Sequence, residues 1–237
     1  SFTLELVFYL SISCFFQTIS FVIYYPEKDS NSKDSMCQLQ AFSMELFGLS
    51  QFIWTCLISF LIYQSVINLK NYSAKNSNLM MIRLIYLLIG FGIPLIISLF
   101  GRIFDLFGKA GFWCFINTDA IKEDGDNKYQ IFYIFTFVSL WSCILFNLIL
   151  YSIVIRYIKN SFDDNNSINT YTRPLMMYSI IQVSCLLPTT INRFYQLLNY
   201  SNVEVLDYIQ SICDVSQGFL YSVAFGFNPT VRKAISN

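Results

Sequence analysis

Three charged side chains stand inside long apolar stretches of this chain: Glu45, Arg193 and Asp214. A charge at membrane depth is costly, and such groups face a bundle interior or a watery cavity, paired with one another. Glu45 lies eight residues inside its stretch, about 12 Å below the outer end at helical rise. Asp214 lies eight residues into the last stretch, at a similar depth. Arg193 lies five residues before the outer end of its own stretch, about 8 Å deep. The three charges converge on one level. Three readings stay open: a buried ion pair that fixes helix packing, a polar ligand subsite, or Arg193 snorkelling to the surface. In the second, Arg193 meets a phosphate or carboxylate and a carboxylate meets an amine. Gln217, Tyr195 and Gln40 are further candidate lining residues.

Other chemistries are poorly served. The chain has no histidine, so histidine-dependent catalysis and histidine metal sites are excluded. Intramembrane aspartyl chemistry needs two facing carboxylates that share a proton, and Asp214 is the one aspartate well inside an apolar stretch. No Gly-rich phosphate loop follows a strand pattern. No enzyme activity, cofactor or metal is expected. A formal net charge of zero gives no nucleic-acid signature. Five of the seven cysteines lie in apolar segments, where cysteine acts as a small hydrophobe.

The elements that position these residues follow from composition. Charged residues make up 13% of the chain and hydrophobic ones 55%, whereas a soluble domain carries about 25% charged residues. The chain therefore reads as an all-α polytopic membrane protein in a lipid bilayer, since its apolar runs are long and lack strict alternation. Six spans are expected, at 2–25, 38–67, 79–100, 129–157, 174–198 and 206–227, forming one transmembrane helix-bundle domain over 1–237. The second is long, proline-free and charged inside, which suits the bundle centre. The third holds Gly90, Gly92 and Pro94, which permit close packing and a kink. In the fifth, Pro188 cannot donate to the carbonyl of Ser184, so a hinge is expected there. Residues 101–128 read as a long loop and 158–173 as a mobile cytoplasmic loop. No signal peptide opens the chain, and its start inside a hydrophobic run suggests that an N-terminal portion is missing.

Orientation follows the basic residues of the loops. With the chain start in the cytoplasm, eight lie inside (Lys70, Lys75, Arg83, Arg156, Lys159, Arg173, Arg232 and Lys233) and six outside. Cys37 and Cys114, the two cysteines outside the apolar stretches, then share the outer side, where disulfides survive. A disulfide between them is expected; the alternative is two unpaired thiols. The sequon Asn165-Asn166-Ser167 falls on the inner side and should carry no glycan.

Several ordered motifs sharpen this. Cys37-Gln38-Leu39-Gln40 with Trp54 and Tyr63, Trp113-Cys114-Phe115-Ile116, Phe132-Tyr133, Leu140-Trp141 and Tyr151 come first. Cys185-Leu186-Leu187-Pro188 with Ile191-Asn192-Arg193, then Gln217-Gly218-Phe219 with Gly226-Phe227-Asn228, complete the set. Together they resemble the third to seventh helices of cyclic AMP receptor-like (class E) G-protein-coupled receptors, and in part secretin- and adhesion-like receptors. The resemblance implies a seven-helix receptor bundle of which the second to seventh helices are present, with Glu45, Arg193 and Asp214 on neighbouring helices around a central cavity. It implies a plasma-membrane receptor for an extracellular ligand, with a cytoplasmic C-terminus and a heterotrimeric G protein as transducer. The G-protein-facing surface would include Tyr63, Asn68, Lys70, Arg156, Lys159, Arg173, Asn228 and Arg232. The chain departs from rhodopsin-like receptors: no acidic–Arg–Tyr triplet ends the second span, Arg232 stands near where a tyrosine would follow Asn228-Pro229, and Phe91 replaces a common tryptophan. The alternatives are a channel or transporter, or a truncated non-signalling paralogue. Arg193 is alone in its span, whereas a voltage sensor needs recurring arginines.

Overall fold

The computed structural model describes residues 2–23, 34–67, 79–110, 113–117, 127–161, 177, 180–195 and 204–226. Their helices are α1 (Phe2–Val22), α2 (Ser35–Ile67), α3 (Leu79–Leu87), α4 (Ile93–Ile103), α5 (Asn127–Ser161), α6 (180–195) and α7 (Glu204–Gly226). A π-helical turn, Leu88–Gly92, joins α3 to α4. Among the described residues, four segments are long and apolar enough to cross a membrane: Glu5–Val22, Ser35–Ile67, Met80–Ile103 and Asn127–Tyr157.

The helices form because a chain in lipid must satisfy its polar groups internally. Hydroxyls follow the same rule. In α1, Ser11, Ser13, Thr18 and Ser20 each donate to the carbonyl four residues back, at 2.7–3.0 Å. The outer surface is apolar: Met80, Leu88, Ile96 and Ile103 recur every seven or eight residues and are 59–85% exposed. Polarity is turned inward, with Gln40, Glu45, Ser50, Gln51 and Thr55 all buried on α2.

As expected from its length and internal charge, α2 is the central element. Its membrane-length segment is 56% buried, against 22–28% for the other three. It packs on α1, α4, α5 and a two-stranded ribbon. One apolar cluster joins Leu6, Leu10 and Cys14 of α1 to Trp54 and Ile58 of α2, and continues to Cys185 and Tyr221. A second surrounds Cys37 and Cys114 with Ala41, Leu106, Phe107, Phe132 and Tyr133.

Two features lie beyond the all-α expectation. Strands β1 (Phe107–Ala110) and β2 (Trp113–Ile116) pair antiparallel inside the segment expected to be loop. Helix α5 also continues to Ser161, so residues 158–161 are helical. The kink near Pro94 takes the form of the π turn. Proline has no N–H to return to the carbonyl of Gly90, and the preceding turn widens: the Ile93 N–H bonds to the carbonyl of Leu88, five residues back. The remainder of the 158–173 loop, with its sequon, lies outside the described residues.

Candidate functional site

The Cys37 end of α2 is tied to the ribbon in three ways. Cys37 and Cys114 form a disulfide. Gln38 Nε2 donates to the carbonyl of Phe107 at 2.8 Å. Gln40 bridges three elements: its Nε2 donates to the carbonyl of Ser20 and its Oε1 accepts from the Cys114 N–H, both at 2.9 Å. Entry to the ribbon is set by Asp105, whose φ of 50° lies in the left-handed region that aspartate tolerates better than most residues. Asp105 pairs with Arg102 at 3.1 Å.

Beneath the ribbon lies a cavity of about 80 Å³. Glu45, Arg193, Asp214 and Gln217 all line it, with Gln17, Gln51, Thr136, Thr189 and Gln210. Trp113, Phe115, Phe137, Phe52 and Leu186 supply much of its apolar wall. The convergence of three charges on one level is therefore a shared cavity wall.

The charges are held individually. Glu45 is 1% exposed and accepts from Thr136 Oγ1 at 3.0 Å. Asp214 accepts from Thr189 Oγ1 at 3.0 Å and from Gln210 Nε2 at 3.4 Å. Gln210 also accepts from Asn192 Nδ2 at 2.8 Å, and the same nitrogen reaches Asp207 Oδ1 at 2.7 Å. Arg193 is 1% exposed, so it does not snorkel. Its guanidinium lies 5.3 Å from the Trp113 ring and 6.0 Å from the Phe115 ring, and Nη1 reaches the carbonyl of Ala110 at 3.5 Å. Among the described residues the direct ion pairs are Arg83–Glu5 and Arg102–Asp105. Among the described residues, aromatic faces and a ribbon carbonyl lie beside Arg193.

Below the cavity a second polar group joins α2, α5 and α6. Asn147 Nδ2 donates to Gln182 Oε1 at 3.0 Å, and Gln182 Nε2 donates to Thr55 Oγ1. One turn further in, Ser59 Oγ donates to Tyr151 Oη at 2.6 Å.

The other expected residues divide. Gln40 is a strut between α1, α2 and β2, not a cavity residue. Tyr195, 38% exposed, lies at the described end of α6, away from the cavity. Pro188 sits within the continuous helix 180–195. On the opposite side of the bundle, Tyr63 packs beside Val154 and Arg156 is exposed. Lys159 lies on α5. Asn68, Lys70, Arg173, Asn228 and Arg232 lie outside the described residues. The cavity residues not anticipated are Gln17, Gln51, Thr136, Thr189 and Gln210. Gln210 stands four residues before Asp214, on the same helix face, and that spacing could have found it. Trp113 and Phe115 were visible as a motif but not as a cation seat.

A buried charged cavity under a disulfide-pinned ribbon, in a bundle of long apolar helices, is the architecture of a multi-pass membrane protein. The slime mold cyclic AMP receptor family matches residues 3–235, and the chain belongs to that family. It is 29% identical to cyclic AMP receptor-like protein A of Dictyostelium discoideum over 96% of its own length and 56% of the relative's. It is 24% identical to G-protein coupled receptor 1 of Arabidopsis thaliana, over 99% of its length and 71% of that protein. Cyclic AMP receptor 4 of Dictyostelium discoideum is 24% identical over 86% of the chain and 44% of the relative. The chain spans about half the length of these slime mold relatives.

Proposed function

We propose that this protein is a G-protein-coupled receptor whose extracellular ligand binds in the cavity lined by Glu45, Arg193, Asp214 and Gln217. Residues 1–237 form one bundle domain of six membrane crossings, equivalent to the second to seventh helices of the receptor fold. The chain start and C-terminus face the cytoplasm of a plasma-membrane protein. The inner surface, with Tyr63, Asn68, Lys70, Arg156, Lys159, Arg173, Asn228 and Arg232, receives a heterotrimeric G protein. Gln40 contributes as the strut that holds the ribbon over the cavity. The observation that carries the reading is the near whole-chain match to a receptor family in a molecule whose buried charges share one cavity.

A ligand shifts such a bundle only through different affinities for its two states. A cavity walled by α1, α2, α5, α6, α7 and the ribbon supplies the means, because a ligand touching several of them is sensitive to their relative positions. The test is guanine-nucleotide exchange on a purified G protein by the full-length receptor in proteoliposomes. Cyclic AMP, the ligand in the relatives' names, is the first probe. Exchange stimulated by a ligand, without ion current, is the expected result. Ligand-gated current with no exchange would overturn it.

A further inference from the structure

The cavity wall contributed by α1 and α2 is rich in hydrogen-bond acceptors. Glu45 brings a carboxylate, 1% exposed. Gln51, 2% exposed, lines the cavity, and its Oε1 has no hydrogen-bond partner among the described residues. Gln17 lines the cavity from α1, and its buried Oε1 is likewise without a partner there. The Gln17 amide packs over Gly48, where an added Cβ would stand 3.5 Å from Nε2, an ordinary van der Waals contact. A buried acceptor left unmade costs about 1–3 kcal/mol, and two such acceptors belong to residues that line this one cavity.

The charge of the cavity specifies a donor for them. Two carboxylates, Glu45 and Asp214, and one guanidinium line the cavity, a formal excess of one negative charge. That guanidinium is seated against Trp113, Phe115 and the carbonyl of Ala110 on the ribbon side. Asp214 already accepts from Thr189 and Gln210, whereas Glu45 accepts from Thr136. Glu45 is thus the carboxylate with more capacity for a ligand. The remaining wall is aliphatic and aromatic, through Leu49, Phe52 and Phe137. A compact cation on an apolar body meets each of these demands.

We infer that Gln17, Glu45 and Gln51 form a subsite for the ammonium group of a small organic amine. The inference rests on the cavity being the ligand site, but not on coupling to a G protein. An ammonium has three donors and no acceptor, matching in number the acceptors that Gln17, Glu45 and Gln51 bring to the cavity lining, and it neutralises the excess charge.

The experiment reads binding alone, on the full-length protein in lipid nanodiscs. The probes are butylammonium, butan-1-ol and butyrate, which share a carbon chain and differ in charge, with sodium against N-methylglucamine as the inorganic arm. Butylammonium should raise the melting temperature in a saturable way, and the alcohol, the carboxylate and sodium should not. Glu45→Gln should weaken the apparent affinity roughly thirtyfold or more, the scale of a lost buried charge contact. Gln51→Leu should weaken it several-fold and serves if Glu45→Gln does not fold. Equal shifts from butan-1-ol, a sodium response that replaces the amine response, or affinity unchanged in both variants would each overturn the subsite. If butylammonium binds as described but nucleotide exchange never occurs, the receptor reading fails and the subsite stands.

Discussion

Gly90 and Trp54 touch so closely that a Cβ on Gly90 would stand 2.3 Å from the indole ring. The contact joins the π turn to the centre of α2, and Trp54 in turn stacks on Tyr9 of α1 at 5.0 Å. Gly90→Ala should therefore destabilise the bundle by about 1–3 kcal/mol through overpacking. Trp54→Leu in the same background should recover part of the loss. Thermal unfolding of the three variants in detergent checks this. Additive losses would mean that the alanine is accommodated elsewhere.

Loss of the Cys37–Cys114 bond should loosen the ribbon. The linkage closes a sequence separation of 77 residues. In the chain-entropy model a loop of that size contributes on the order of 4 kcal/mol, less where the unfolded state retains structure. Cys37→Ser should lower the melting temperature, and alkylation followed by mass mapping of the native protein should find neither thiol free. Two alkylated residues would refute the bond in the native molecule.

Asn147 is fully buried between Thr55 and Gln182. Asn147→Leu should cost about 1–3 kcal/mol by leaving its partners short of a donor. Gln182→Leu should cost a similar amount, and the double variant should cost less than the sum, because the two share one network. Chemical unfolding of the full cycle measures the coupling.

The centre of the fold was readable because length, charge and the absence of proline all singled out one stretch, Cys37 to Asn68. The disulfide was readable because only Cys37 and Cys114 escape the apolar segments. The ribbon was not. Its strands are four residues each, too short to show a period of two against a background of aromatic residues. The π turn left only glycines and a proline as its trace, and these signal a bend without naming its form. At the site, depth placed Glu45, Arg193 and Asp214 together, but left open whether Arg193 meets a carboxylate, a ligand or the surface. A ring face carries no formal charge to count, so Trp113 and Phe115 were invisible to such a count. The amides of Gln17, Gln51 and Gln210 escaped for a similar reason: a neutral polar residue in a membrane helix raises no alarm by itself.

Arg193 and Trp113 should be energetically coupled. Arg193→Met and Trp113→Leu should each destabilise, and together by less than the sum, with a coupling of about 0.5–2 kcal/mol for a desolvated cation over an aromatic ring. Pairing Arg193→Met with Glu45→Gln should not restore stability, because neither residue holds the other. Recovery in that double variant would instead reveal an ion pair.

Pro188→Ala should restore a helical bond to the carbonyl of Ser184 and straighten α6. Spin-label distances between α2 and the two ends of α6 measure the change. A helix equally bent with alanine would remove proline as the cause.

The ribbon is fastened to α2 by a disulfide and two amides, and Arg193 of α6 grips it from the other side. Ribbon and α2 therefore make one stator, and the 3.5 Å contact from Arg193 to Ala110 works as a vernier upon it. That contact spans the two parts, from a helix on one side to a ribbon carbonyl on the other. Whatever enters the cavity beneath touches both the fastened ribbon and the helix that carries Arg193.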